Sequence, residues 1–574
     1  MGDKSHPNRV IVIGAGWMGL AAAKTYLEIQ PTVDLMIIDE DSTVGGVWSG
    51  TRSYPGLIAD SCAAVFDYSD FPMDVEVGVE AWADLPAQKV HEYLERYTDR
   101  FGLRERCRLN TRVIRIERNE TNGSGMVWKV QVETRQLEGQ QSVKETLLCD
   151  KLIVATGSSS TPKMPKDIDW TSFQGPIMHS KEVGTKHQLL TADNVQRVTV
   201  VGGNKSAVDV VYLCALAGKE VDWLIRKDGT GPGLLFDVRS KDGTHAGQYK
   251  ALRATTIASP NLLSTKGFWY WFLHSGKNWV GSQLIRWAFS YASKMGIRSM
   301  YGENENTMKI APDLQNVSSL VGKSVNLSNG QTFPSDAAVF ATGWERTQPP
   351  IFDPALLPEL GLPVPVDQQT SDFAKHWSTL DSASDAKVRN ILPMLASPPA
   401  EVVKYFRQHE RPMSTTPFRL FRYIVPPTLA AKGDRSLIIL GILLNSSIPI
   451  YAEVSSLWGI AYLENLPFVP ATAKMISDLS SMEEDVSMRN AWGQLKAPGF
   501  AEEYPEGSGE IQNFTDELMN DLGLRHDRKR LAAEKAGQKG LFGLRASYRE
   551  WFKPYQGLDY KGIVAEYMST LEGA

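Results

Sequence analysis

The chain has 574 residues, 42% of them hydrophobic, and a formal net charge of −5. That length supports several packed cores, roughly two to four domains, and the charge balance leaves no global basic footprint, so no nucleic-acid partner is expected. The four cysteines, Cys62, Cys107, Cys149 and Cys214, form no C-x-x-C, which argues against a metal site or a redox disulfide and fits a reducing, cytoplasmic compartment.

The first residues, "MGDKSHPNRV", are charged and run straight into a strand, unlike a signal peptide. They begin Met-Gly, but His6 stands where N-myristoylation requires Ser or Thr. "RVIVIGAGWMGLAAAKTYLE" then reads strand, turn, helix, with Val10 to Ile13 as a short buried strand. Gly14, Gly16 and Gly19 fill G-x-G-x-x-G. The first allows the tight turn, the second lets backbone approach a pyrophosphate, and the third lets helix and strand pack closely. The helix N-terminus then offers free N–H groups and its positive dipole end to an anion. "DLMIID" is a second strand, and Asp39 at its end stands where a ribose acceptor belongs. The plain alternative for the loop is an ordinary Gly-rich turn. Gly45, Gly46 and Trp48 follow in "DEDSTVGGVWSG". This acid-then-GG-x-W order resembles two-dinucleotide flavoproteins, in which the segment passes beside FAD; otherwise the glycines are a turn and Trp48 a core aromatic.

"YPGLIADSCAAVFDYSDFPM" carries Asp60 and Ser61. Read from the residues, Asp60 is an N-cap or turn residue before Ser61. "KLIVATGSSSTPKMP" and "AAVFATGWERT" each end an apolar strand in Ala-Thr-Gly, with Thr342 and Gly343 in the second. Between them, "FQGPIMHSKEV" is too polar for a core strand and has no helical stripe. "RVTVVGGNKSAVDVVYLCALAGKEVDWLIRK" repeats the strand–loop–helix–strand plan, with Gly218 as helix stop. Gly202, Gly203 and Ser206 are the candidate cofactor contacts of its loop. Asn204 replaces the middle Gly; Asn tolerates left-handed backbone, so the turn is expected to survive there. Arg226 and Lys227 follow in place of an acid, which favours a 2′-phosphate and hence NADPH; the alternative is a solvated basic pair.

"STKGFWYWFLHSGKNWVGSQLIRWAFSYASKMGI" is dense in aromatics: Phe268, Trp269, Tyr270, Trp271, Phe272, Trp279 and Trp287. It reads as an apolar tunnel wall, a core helical hairpin or an element dipping into a membrane surface, with core or wall favoured. "RSLIILGILLNSSIPIYAEVSSLWGIAYL" is interrupted by Asn445, Pro449 and Glu453 and reads as strand, loop and helix rather than a membrane span. From about Ser480 the chain is expected to be charged and loop-rich, with Thr515 capping a helix, "HDRKR" as a solvated face, and "SYREWFKPYQGLDYKGIV" docking across two domains.

Together these stretches resemble the class B flavoprotein monooxygenases, the superfamily of flavin-containing and Baeyer–Villiger monooxygenases, and most of all the divergent members of fungal natural-product pathways. Phe173, Gly175 and His179 match the family fingerprint F-x-G-x-x-x-H, but Val183 stands where an aromatic belongs. The resemblance implies a hinge-side place for this segment and a structural and cofactor role for His179. "YSDFPM" is similar to heteroatom-oxidising members, whereas the Gly56-to-Asp60 spacing is similar to Baeyer–Villiger members. The resemblance of Asp60 to their flavin-proximal Asp implies, instead of a cap or turn, a catalytic carboxylate facing a reactive cofactor. The resemblance also implies an α/β fold of two nested Rossmann-like dinucleotide-binding domains with a helical, aromatic-rich insertion. The expected plan is an FAD domain at 1–165 and 335–480, an NADPH domain at 166–334 with the insertion at about 245–300, and a C-terminal extension at 481–574. NADPH would reduce FAD, and a C4a-peroxyflavin formed with O2 would insert one oxygen atom into an apolar organic substrate. The rivals are a flavoprotein dithiol oxidoreductase and a catalytically degenerate dinucleotide-binding protein.

Overall fold

The computed structural model describes residues 8–119, 127–136, 141–225, 246–301, 317–345, 351–397, 413–445, 447–496, 505, 507, 509–538 and 541–572. Arg226 and Lys227 lie outside these residues. Five parallel strands form the first sheet in the order 437–439, 151–154, 9–13, 34–38, 107–108. Arg9–Ile13 is central because four of its five residues are buried and apolar. From it the chain builds outward on one side through 34–38 and later returns to the other side at 151–154, so the crevice at its C-terminal end is a topological switch point. The first glycine loop fills that point and leads into the helix Trp17–Ile29.

A second parallel sheet repeats the scheme in the order 177–179, 337–340, 197–201, 220–224. The second glycine loop leaves the end of Arg197–Val201 and enters the helix Lys205–Leu216. Gly218, with φ +72°, stops that helix as expected. The strand Ala337–Phe340 belongs to this sheet, so the chain leaves the second unit after Phe340 and not at residue 335. Its four residues are apolar and wholly buried between two neighbours, and that pairing decides the boundary. Among the described residues three small sheets accompany the two units: antiparallel 111–118 with 128–134 and 143–149, antiparallel 58–62 with 84–86, and a mixed sheet in which 169–173 runs parallel to 317–322, followed by antiparallel 324–327 and 332–334.

The interrupted apolar run is a strand, Leu437–Ile439, and a buried helix, Ile448–Leu463, that packs on the first-loop helix. No helix among the described residues is long and apolar enough to cross a membrane. Beyond residue 480 the described chain is mostly helical, not loop-rich. The helix Ile511–Asp521 starts four residues before Thr515, whose hydroxyl bonds back to Ile511 O at 2.8 Å. An apolar stripe of Ile511, Phe514 and Leu518 extends the helix upstream and overrides the expected cap. "HDRKR" is only partly solvated, for Arg528 is buried and pairs with Glu566 at 3.0 Å. Tyr555 and its neighbours do bridge two regions. Tyr555 N donates to Ala251 O at 2.9 Å in the insertion, and a Cβ at Gly557 would stand 2.7 Å from Asp67 O.

Glu453, mid-helix in Ile448–Leu463, anchors the "YSDFPM" segment to this frame. Its carboxylate accepts from Ser69 N at 3.0 Å and Ser69 Oγ at 2.9 Å. Burial pushes its carboxyl up to about 8, with Lys24 opposing the shift. The folded protein therefore holds a proton on Glu453 that the unfolded chain releases above its ordinary value of 4.5. Native protein binds more protons in that window, so this group costs stability progressively as pH rises from about 4.5 to about 8. Glu453→Gln is expected to shrink the fall in Tm between those limits, measured by thermal unfolding at both pH values; an unchanged difference would mean that Glu453 is already ionised in the fold.

Candidate active site

Each loop is built around the same backbone contact. Gly14 has φ +108°, and a Cβ there would lie 2.4 Å from Ala155 O; Gly202 has φ +140°, and a Cβ there would lie 2.3 Å from Ala341 O. The two Ala-Thr-Gly tripeptides thus recur because each presses its alanine carbonyl onto the first glycine of a loop. Gly19 packs the helix onto the turn, since its Cβ would meet Gly14 O at 1.8 Å. Gly16 differs. Its φ is −88°, open to any residue, and a Cβ there meets nothing closer than Gly46 Cα at 3.6 Å. Nothing in the protein alone requires glycine at 16.

Gly46 packs directly against Gly16: with φ +59°, its Cβ would stand 3.2 Å from Gly16 Cα. Gly45 N donates to Ala15 O at 2.9 Å and fixes the approach. The helix Trp17–Ile29 has no side-chain cap, which leaves its first N–H groups for an anion. The indole N–H groups of Trp17 and Trp48 are buried without a protein partner. Trp48 packs edge-on against Phe66 at 5.9 Å. A cleft of paired glycines, uncapped helix N–H groups and orphaned indole donors fits a pyrophosphate-linked dinucleotide. Asp39 sits where expected, but it already accepts from Ala15 N at 2.6 Å and Asp41 N at 2.9 Å. Burial raises its pKa while those two N–H groups hold it down. It shapes the loop and retains lone pairs for a ribose hydroxyl.

In the second loop Asn204 has φ −107° and ψ −174°, close to the −88° and −169° of Gly16. The expected left-handed backbone is absent, because this position is the extended N-cap in both loops. Asn204 makes no cap bond with its side chain, so the second-loop helix also starts uncapped, with Ser206 half-buried in its first turn. Here a side chain stands where the first loop leaves space.

The fingerprint segment belongs to the second unit: despite its polarity, Ile177–His179 forms that sheet's edge strand because Met178 and His179 are buried beside Ala337–Phe340. His179 is buried; Nδ1 accepts from Lys181 N at 3.1 Å and Nε2 donates to Gly343 O at 2.9 Å. Burial lowers its pKa, so the ring is neutral. With both nitrogens on backbone, the ring pins the loop that carries Gly343 and moves no proton. Lys163 N also donates to Gly343 O at 3.0 Å, and Thr342 Oγ1 donates to Lys163 O at 2.6 Å, so the two linkers between the units are tied to each other. Lys181 Nζ reaches Glu40 at 3.0 Å and Ser160 O at 2.6 Å, and a Cβ at Gly184 would meet Thr51 O at 2.2 Å. Val183 is fully buried in the same core as Tyr54 and Met178, so an apolar side chain is packed there in place of the family's aromatic.

Asp60 is exposed in the middle of the strand Ile58–Cys62, so it is neither an N-cap nor a turn residue; Ser61 beside it is buried. The strand faces the second-loop helix. Lys205 Nζ donates to Ile58 O at 2.8 Å and pairs with Asp209 at 2.6 Å. Asp209 has a raised pKa, from burial first, opposed by Lys205 and reinforced by Asp60. Asp60 therefore lies within electrostatic range of the second-loop helix. Lys205 and Arg52 are site residues that the sequence does not flag. Arg52 donates to Ser159 O at 2.8 Å, lies 5.7 Å from the Trp344 ring and keeps a buried Nε without partner. Their signals, a cation at the N-cap-plus-one position and one before Tyr54-Pro55-Gly56, are too common to stand out.

The two parallel sheets, each with a glycine loop leading into a helix, define an α/β protein with two Rossmann-like units. Residues 7–229 match the family described as flavin-binding monooxygenase-like. The chain is 32% identical to the FAD-dependent monooxygenase DEP4 of Alternaria brassicicola, over 97% of this chain and 94% of that one. It is 30% identical to an FAD-dependent monooxygenase of Pyrenophora dematioidea, over 92% and 100%. Among solved structures it resembles an open crystal structure of cyclohexanone monooxygenase, with TM-score 0.52, 15% identity and coverage of 93% and 99%. The chain belongs to the flavin-binding monooxygenase family and is an FAD-dependent monooxygenase.

Proposed function

We propose that the first cleft holds FAD through Gly14, Gly16, Gly19, Gly46, Asp39 and Trp48, and that the second holds NADPH through Gly202, Gly203, Ser206 and Arg226. The observation that carries this reading is the close approach of the Gly16 and Gly46 backbones beside the uncapped start of the first-loop helix. When bound, FAD supplies the redox chemistry: electrons from NADPH reach O2, one oxygen atom enters an apolar organic substrate of the secondary-metabolite kind, and the other leaves as water. The residues of the chain do the rest. Asp39 shapes the first loop, while His179, Thr342 and Gly343 tie the linkers that set the distance between clefts. Asp60 and Ser61 line the seam where the two cofactors meet, and the Asp60 carboxylate sets the protonation of the reacting centre there. Four free cysteines suit a reducing cytoplasm.

NADPH preference rests on Arg226. A charge-assisted bond to phosphate is worth roughly 1.5–3 kcal/mol, which is about tenfold or more in affinity. Arg226→Ala is expected to raise the Michaelis constant for NADPH by that factor and to leave NADH nearly unchanged. Steady-state kinetics with both cofactors check it, and equal loss with both would make Arg226 structural.

A further inference from the structure

The aromatic insertion presents one face that breaks the ordinary pattern of a soluble helix, apolar side inward and polar side outward. On the helix Trp279–Tyr301, Val280, Leu284, Trp287 and Tyr291 recur at helical spacing and form one stripe, 50–63% exposed. The opposite side turns inward: Ile285 is buried, and a Cβ at Gly281 would meet Phe272 O at 1.9 Å. Phe268, Trp269 and Trp271 are also exposed, with ring centroids 5.2 and 5.9 Å from Phe268 to the other two. The expectation of a core hairpin or tunnel wall is therefore corrected for these side chains. The base beneath them is held in place. Tyr270 OH donates to Ile391 O at 2.7 Å, and His274 Nε2 donates to Ile257 O at 2.8 Å. An apolar stripe on a fixed base, left facing water, marks an interaction surface.

The charge of this stretch selects the occupant. Between Asp242 and Glu303 the chain has no Asp or Glu but seven Lys and Arg, in a protein whose net charge is −5. Of these, Arg253 is paired inside with Asp516, whereas Lys266 and Lys277 are exposed beside the aromatic cluster. Trp and Tyr with flanking cations suit the headgroup boundary of an anionic bilayer. A second copy would bring the same cations face to face. We propose that this face docks the enzyme on the surface of an anionic membrane, with the stripe in the headgroup region and no segment crossing it. This goes beyond the oxygenase reading and does not depend on it.

The test is co-sedimentation of the full-length, flavin-loaded protein with phosphatidylcholine vesicles, with and without phosphatidylserine. Binding is expected with phosphatidylserine and much less without it. Leu284→Glu/Trp287→Glu is expected to weaken binding by roughly tenfold or more, and Lys266→Glu/Lys277→Glu by about fivefold per cation. Flavin absorbance and NADPH oxidation stay unchanged in both. If the stripe variant fails to fold, quenching of the wild-type tryptophans by brominated lipid decides, with quenching expected. Wild-type protein that stays in the supernatant, shows no quenching, or binds through a face the variants leave intact overturns the proposal. So does a dimer that the stripe variant dissociates, which would assign the face to a second copy.

Discussion

Purified Gly16→Ala protein is expected to fold and to be colourless. The methyl group is tolerated by the protein, since its nearest neighbour is Gly46 Cα at 3.6 Å and φ is −88°. It points at the Gly46 backbone, 3.6 Å from Cα and 3.8 Å from N, and narrows the approach by which backbone N–H groups would meet the pyrophosphate. Losing two charge-assisted bonds there would weaken FAD binding by roughly 10²–10⁴-fold. Gly14→Ala and Gly19→Ala differ in kind. Their methyl groups would stand 2.4 and 1.8 Å from backbone oxygens, so both are expected to impair folding itself. Flavin content per folded chain, with circular dichroism as the folding control, separates the cases. A Gly16→Ala protein with a full complement of flavin would show that the first loop is not the FAD cradle.

Asp60→Ala is expected to uncouple the enzyme. Asp60 is exposed in mid-strand and takes no part in a cap, so its removal leaves the strand Ile58–Cys62 and its pairing intact. Flavin binding and reduction by NADPH should remain near wild type. Hydrogen peroxide should then replace most of the oxygenated product, a several-fold or larger change in the ratio of peroxide to NADPH consumed. Peroxide and NADPH measured in the same assay check this. A well-coupled variant would make Asp60 a seam residue without a part in the chemistry, and loss of flavin would make it structural.

Both glycine loops, the interrupted apolar run and the nested order are legible in the sequence because each rests on local rules: a strand period, a turn that needs glycine, a helix stop. Where the sequence misleads, the deciding contact is distant. Ala337–Phe340 reads as the return to the first unit, but its pairing with 197–201 places it in the second. Asn204 suggests a left-handed turn, although the position is extended in both loops. The aromatic insertion reads as core because nothing in its composition separates an inward stripe from an outward one; Gly281 against Phe272 decides which side turns in. The recurrence of Ala-Thr-Gly is visible in the sequence, but its reason, a carbonyl pressed on Gly14 or Gly202, is not. Lys205 and Arg52 act across more than one segment and leave no local pattern.

Two dinucleotide clefts feeding electrons to oxygen are tested most directly by the stoichiometry of NADPH oxidation and oxygen uptake in the purified yellow protein, with a dithiol acceptor in a parallel assay without oxygen. One O2 consumed per NADPH is expected, with no electron transfer to the dithiol acceptor and loss of both NADPH oxidation and oxygen uptake in Gly16→Ala. Flavin that NADPH reduces but that passes its electrons to the dithiol acceptor without consuming O2 would contradict this arrangement.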